Sequence, residues 1–152
     1  MDLPALLREQ RLLAIVRGRH AESVLETVLV LAREGVSLIE VSLTSASALD
    51  VISRARAELG TEAVIGAGTV VTTQDARDAH AAGAEYVVTP GIGDGVRQAR
   101  DLGLPTVVGA LAVGVGSPLI GDAADGGDPE ALRVRIRGFL GAALDTTAGI
   151  AQ

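Results

Sequence analysis

Four times in this chain an Ala- and Arg-rich amphipathic helix pattern runs into a glycine and then into a short β-branched run. The segments are LVLAREG-VSLIEVSL, ISRARAELG-TEAVIGAG, ARDAHAAG-AEYVVTPG and VRQARDLG-LPTVVGA. Their glycines (Gly35, Gly60, Gly83 and Gly103) recur a little over twenty residues apart, about the length of one helix, one strand and two short loops. Each stands where the residue after a helix takes positive φ, which glycine adopts without steric penalty. Ser45, Thr72 or Thr73, and Asp128 before Pro129 are the expected N-caps. The expected strands are Leu12 to Arg17, Leu38 to Leu43, Ala63 to Gly66, Tyr86 to Val88 and Thr106 to Gly109, all nearly continuous apolar runs. Such runs mark parallel strands covered on both faces, so the repeat predicts an α/β fold, barrel-like or doubly wound.

Composition narrows the partners. Apolar residues make up 48% of 152 but aromatics only 1%, so the core is built from Val, Leu, Ile and Ala, and one domain is the simplest reading. A net charge of −6 argues against general affinity for nucleic acid or an anionic membrane surface. The absence of cysteine removes disulfides, a thiolate nucleophile and cysteine metal sites. MDLPALLREQ lacks the basic segment and apolar run of a signal peptide, and apolar runs elsewhere stop short of membrane-spanning length. A cytoplasmic protein is the expectation. All 13 Lys+Arg residues are arginines, so the chain has no side-chain amine.

Polar and special residues gather where strands end: Arg17, Glu40 and Thr44, Gly68 and Thr69, Thr89 and Pro90, Gly116 and Ser117. In parallel α/β folds the carboxyl ends of the strands form the working face. Glu40 lies inside the apolar LIEVSL, where an unpaired carboxylate is expensive to bury. It reads either as a structural ion pair, with Arg17 the obvious partner, or as a functional acid or base. GAGTV (Gly66 to Val70) offers backbone approach and a hydroxyl, but a lone Gly-x-Gly is more often a tight strand-to-helix turn. VTPG reads as a common turn, and GVGS (Gly114 to Ser117) as a loop whose N–H groups are able to cradle a phosphate. His20 and His80 have no second ligand at metal spacing and read as surface residues. No P-loop, dinucleotide fingerprint or nucleophile elbow appears.

Taken in order, AIVRG, LIEVSLTS, VIGAGTV, YVVTPG, PTVVGA and AVGVGSPL form a specific series. The chain resembles the 2-keto-3-deoxy-6-phosphogluconate / 4-hydroxy-2-oxoglutarate aldolase family over about residues 10 to 144, most strongly through Ala110. The resemblance implies a (βα)8 barrel, usually trimeric, that cleaves 2-keto acids to pyruvate and an aldehyde through a lysine Schiff base without metal or organic cofactor. It makes Glu40 the general acid/base and lines the pyruvyl pocket with Gly68, Thr69 and Pro90. It places Gly116 and Ser117 on the phosphate or distal carboxylate, and Arg17 near the anionic charge. Thr44 stands where many members carry arginine, a departure that bears on phosphogluconate-type specificity.

One segment departs from the family. The fifth-strand motif PTVVGA runs directly into the eighth-strand motif AVGVGSPL, so residues 1–110 match units one to five and 111–144 match the eighth unit and last helix. The family's sixth strand, with its lysine, and its seventh, with a phosphate loop, have no counterpart. An incomplete barrel of five or six parallel strands is therefore expected, with open edges that invite self-association or aggregation. The eighth-strand segment is expected either to merge with the fifth strand or to lead irregularly into the last helix. Three functional readings follow: an aldolase-family chain impaired by its missing lysine, a non-enzymatic module for 2-keto acids, phosphate or assembly, and, ranked last, a metal-assisted lyase using Glu40.

Overall fold

The computed structural model describes residues 1–108, 114–115 and 117–145. Its elements follow the repeat: α1 (Leu3–Gln10), β1 (Leu13–Val16), α2 (Ala21–Arg33), β2 (Leu38–Ser42), α3 (Ala48–Leu59), β3 (Val64–Gly68), α4 (Thr73–Ala81), β4 (Val87–Thr89), α5 (Asp94–Asp101), β5 (Thr106–Val108), β6 (Gly114–Val115), α6 (Ser117–Ile120) and α7 (Pro129–Asp145). The strands form one sheet in the order β5-β4-β3-β2-β1-β6, every pair parallel. The five expected strands are thus neighbours in sequence order, as the repeat requires. The glycines that end the repeat's helices take φ of +93° (Gly35), +54° (Gly60), +88° (Gly83) and +73° (Gly103). At these angles an L side chain is strained, which is why the repeat keeps glycine there.

Helix starts agree with the sequence in two places and differ in one. Thr72 and Asp75 form a reciprocal capping box on α4. Asp128 accepts from the Glu130 N–H at 2.9 Å beside Pro129. At α3, however, Ser47 and not Ser45 precedes the helix. Ser45 is drawn into a turn, its N–H donating to the Ser42 carbonyl, and its buried hydroxyl faces the Gly18 N–H at 3.4 Å.

Alternation along the strands divides the core in two. Ile39 and Val41 of β2 point outward into an aliphatic layer with Val24, Val28 and Leu31 of α2 and Val51, Ile52 and Ala55 of α3. Leu38 of β2 joins the inner layer, with Leu13 of β1, Tyr86 next to β4, Val107 of β5 and Leu3 of α1. Sequence reading gave α1 no place in the fold. Its Leu3, Leu6 and Leu7 pack on the inner face, at the amino ends of the strands. One buried cluster joins α1 to residues of β1, β2 and β5, as in a sheet that curls around the helix, since β1 and β5 in a flat sheet lie about 19 Å apart.

The eighth-strand segment neither merges with β5 nor runs irregularly into the last helix. Gly114 and Val115 form β6, paired with Leu13 and Ala14 on the edge of β1 that β2 leaves free. Parallel pairing restores backbone hydrogen bonds along that edge, which an irregular lead leaves unmade. Among the described residues β5 and β6 are the sheet's two edges, so the ring is not closed.

Candidate functional site

The inner face changes character toward the carboxyl ends of the strands. Glu40 and Ser42 follow Leu38 on the inner side of β2, and both are buried. In register, Glu40 lies opposite Gly66 and Ser42 opposite Gly68 on β3. The expected turn at Gly66–Gly68 is strand instead, and neither glycine has positive φ. Both are needed for space. A Cβ on Gly68 collides with the Glu40 carboxyl, and one on Gly66 collides with the Tyr86 ring. The turn begins one residue later, at Thr69, whose φ of 62° is unusual for a β-branched residue.

That strained Thr69 sets its hydroxyl 3.0 Å from the Ser42 hydroxyl, which lies 2.9 Å from that of Thr44. Three hydroxyls therefore stand in a row at the ends of β2 and β3, and the central one, Ser42, is fully buried. Sequence reading named Thr44 and Thr69 but passed over Ser42. The signal was available, because Ser42 shares the inner parity of Glu40 in a strand of otherwise apolar residues.

Glu40 is only 3% exposed, and its Oε2 has no hydrogen-bond partner among the described residues. Burial pushes its pKa up to about 7, and the positive charge of Arg17 draws it partly back. The expected Arg17–Glu40 ion pair is absent among the described residues. Arg17 is exposed just beyond β1, where keeping the guanidinium hydrated outweighs a buried pair. Its influence on Glu40 is through space. Glu40 is thus a carboxyl poised between neutral and charged near neutral pH, which suits proton transfer.

Pro90 follows β4 at the same end of the sheet and is exposed, while Thr89 turns its hydroxyl to the Gly91 carbonyl at 2.9 Å. Ser117 opens α6, and Gly116 lies outside the described residues. His20 and His80 are exposed, and no group of three metal-ligating side chains converges among the described residues. None of the described helices is long and apolar enough to cross a membrane.

A parallel sheet with the connecting helices α2–α5 on its outer face, and a buried acid and hydroxyls toward its strand carboxyl ends, places the chain among the (βα)8-barrel proteins, here with an incomplete ring. Comparison with known proteins narrows that class. The family model described as KDPG and KHG aldolase matches residues 3–115, and the chain belongs to this family. A 2-dehydro-3-deoxy-phosphogluconate aldolase of Haemophilus influenzae is 32% identical over 114 residues, covering 74% of this chain and 51% of the relative. The chain thus spans about half the length of the curated relatives it matches. A solved 4-hydroxy-2-oxoglutarate/2-dehydro-3-deoxyphosphogluconate aldolase from TTHB1 superposes with a TM-score of 0.74 at 24% identity, over 95% of this chain and 99% of that one. The 2-keto-3-deoxy-6-phosphogluconate aldolase of Zymomonas mobilis gives 0.64 at 25% identity, over 71% of this chain and 52% of its own.

Proposed function

We propose that this chain binds a 2-keto acid of the pyruvate type beside Glu40 and does not turn it over through an imine. The observation that carries the reading is a conflict: a buried carboxyl, its pKa pushed up to about 7, stands in a sequence with no lysine. A 2-keto acid presents only acceptors, the carbonyl oxygen and the carboxylate. Ser42, Thr44, Thr69 and a neutral Glu40 carboxyl are all able to donate, and Arg17 supplies positive charge at the open end. The resemblance gives the ligand's distal anionic group to Gly116 and Ser117, and the pocket wall to Gly68 and Pro90.

Imine formation needs a primary amine to attack the keto carbon, lose water and hold the C=N bond while the C–C bond breaks. Glu40 is suited to moving the protons of those steps, but it forms no C–N bond. No side chain here does. Binding needs donors alone, whereas turnover needs the nucleophile, and removing a nucleophile lowers rates by several orders of magnitude.

Pyruvate titration followed by NMR is expected to show weak saturable binding. Borohydride added to the complex is expected to leave every side chain at its original mass. Cleavage of 2-keto-3-deoxy-6-phosphogluconate or 4-hydroxy-2-oxoglutarate is expected at the uncatalysed rate. A borohydride-stable adduct mapped to a side chain, or metal-independent cleavage above background, overturns the reading.

A further inference from the structure

Two buried polar atoms of the inner face have no hydrogen-bond partner among the described residues: Oε2 of Glu40 and the phenolic oxygen of Tyr86. Buried polar groups are rarely left so, because an unmade hydrogen bond in a dry interior is costly. The two are chemically complementary, one an acceptor when ionised and the other a donor. They also lie in one row. Glu40 is in register with Gly66, and the pairing of Ala67 with Val87 sets Gly66 beside Tyr86. Gly66 between them has no side chain, and the Tyr86 ring covers it, with the carbon that bears the hydroxyl at the closest approach. The phenol is therefore aimed across the glycine toward β2, below the Glu40 carboxyl, which leans over Gly68.

We propose that Tyr86 is a positioning residue for Glu40: its O–H donates to Oε2 when the carboxyl is ionised, and releases it when the carboxyl is neutral. A phenylalanine fills the same space above Gly66, so the hydroxyl has no packing purpose. Tyr86 is fully buried, so it acts through Glu40 and touches no ligand. The groups acting on the pair are few. Arg17 next to β1 favours the charged carboxyl, while burial, and after it the negative charges of Glu40 and Glu85, hold the phenol neutral well above the ordinary tyrosine range. From α1 and β5, Leu3, Leu6, Leu7 and Val107 pack in the same cluster as Tyr86. As a part in chemistry the role rests on Glu40 being the acid/base of the proposed function; as a hydrogen bond it does not.

The chain offers a direct probe, because Tyr86 is its one tyrosine and it has no tryptophan. The near-UV band of Tyr86 is expected to shift between pH 5 and 9 with the same midpoint as the Glu40 carboxyl carbon in 13C-glutamate NMR, near 7. Tyr86 itself stays neutral throughout that window. In Glu40→Gln the shift is expected to vanish. In Tyr86→Phe, which keeps the ring, the Glu40 midpoint is expected to rise by about one pH unit, since a donor to the charged form is gone. A Tyr86 band that stays flat through the Glu40 midpoint of the unaltered protein overturns the proposal. So does a band shift that persists in Glu40→Gln, or an unmoved midpoint in Tyr86→Phe. No keto acid enters these measurements, so their failure is separate from a failure of pyruvate binding.

Discussion

The two faces of the same strands are built to opposite rules. Outward, Ile39, Val41 and Ile65 meet aliphatic side chains of α2 and α3, and every outer position is interchangeable in chemistry if not in shape. Inward, neighbours one residue away are Glu40, Ser42 and the glycines that make room for them. The outer layer gathers apolar area and holds the fold together. The inner layer gives up part of that gain by burying a carboxyl and a phenol without partners among the described residues. Unfavourable burial of this kind, concentrated on one face of the sheet, is what separates a site from a core.

The largest test of this contrast is on the outer face. Ile52→Ala removes a fully buried side chain between α3 and the sheet. It is expected to lower unfolding free energy by about 2–5 kcal/mol in urea titrations. The Glu40 midpoint should stay where it is, because no atom facing the carboxyl changes. A shift of that midpoint breaks the division between the faces.

Next comes Glu40→Gln, whose effect depends on pH. Glu40 binds its proton more tightly in the folded chain, at about 7, than the ordinary 4.5. Between those values the folded state holds more protons than the unfolded one, so stability falls as pH rises. The full stability is present below about 4.5, and the loss is complete above about 7. Removing the carboxyl is therefore expected to leave stability nearly unchanged at pH 4. At pH 8 it is expected to raise stability by up to about 3 kcal/mol, the value of the shift at 1.36 kcal/mol per unit. Thermal melts across pH measure this, and a variant as pH-dependent as the parent places the effect on another group.

The smallest expected effect is at Thr69→Gly. Relieving the positive φ is offset by added freedom in the unfolded chain, so stability should move by about 1 kcal/mol or less. Pyruvate affinity, in contrast, is expected to fall several-fold as the Ser42 hydroxyl loses its neighbour. A large stability change with unchanged affinity gives Thr69 a purely architectural role.

How much of this was legible beforehand differs by residue. Gly35, Gly60, Gly83 and Gly103 announce themselves, because a positive φ after a helix is a local demand that one residue type meets best. The capping box at Thr72 is equally local. Glu40 stood out as a charge in an apolar run, but its supposed partner Arg17 did not pair with it. Ser42 and Tyr86 were only members of expected strands, and Gly66–Gly68 looked like a turn. Each takes its meaning from an adjacent strand, and register between strands is not written within either one.

The sequence by itself determined the alternation of strand and helix, the parallel order of the first five strands, the family and the want of a side-chain amine, since all of these follow from residue type and short spacing. Only the tertiary structure decided that α1 fills the inner face, that β6 returns to β1, and that Glu40, Ser42, Thr69 and Tyr86 share one side of the sheet. These depend on curvature and on which strand lies beside which, and both arise only when distant segments compete to bury the same surface.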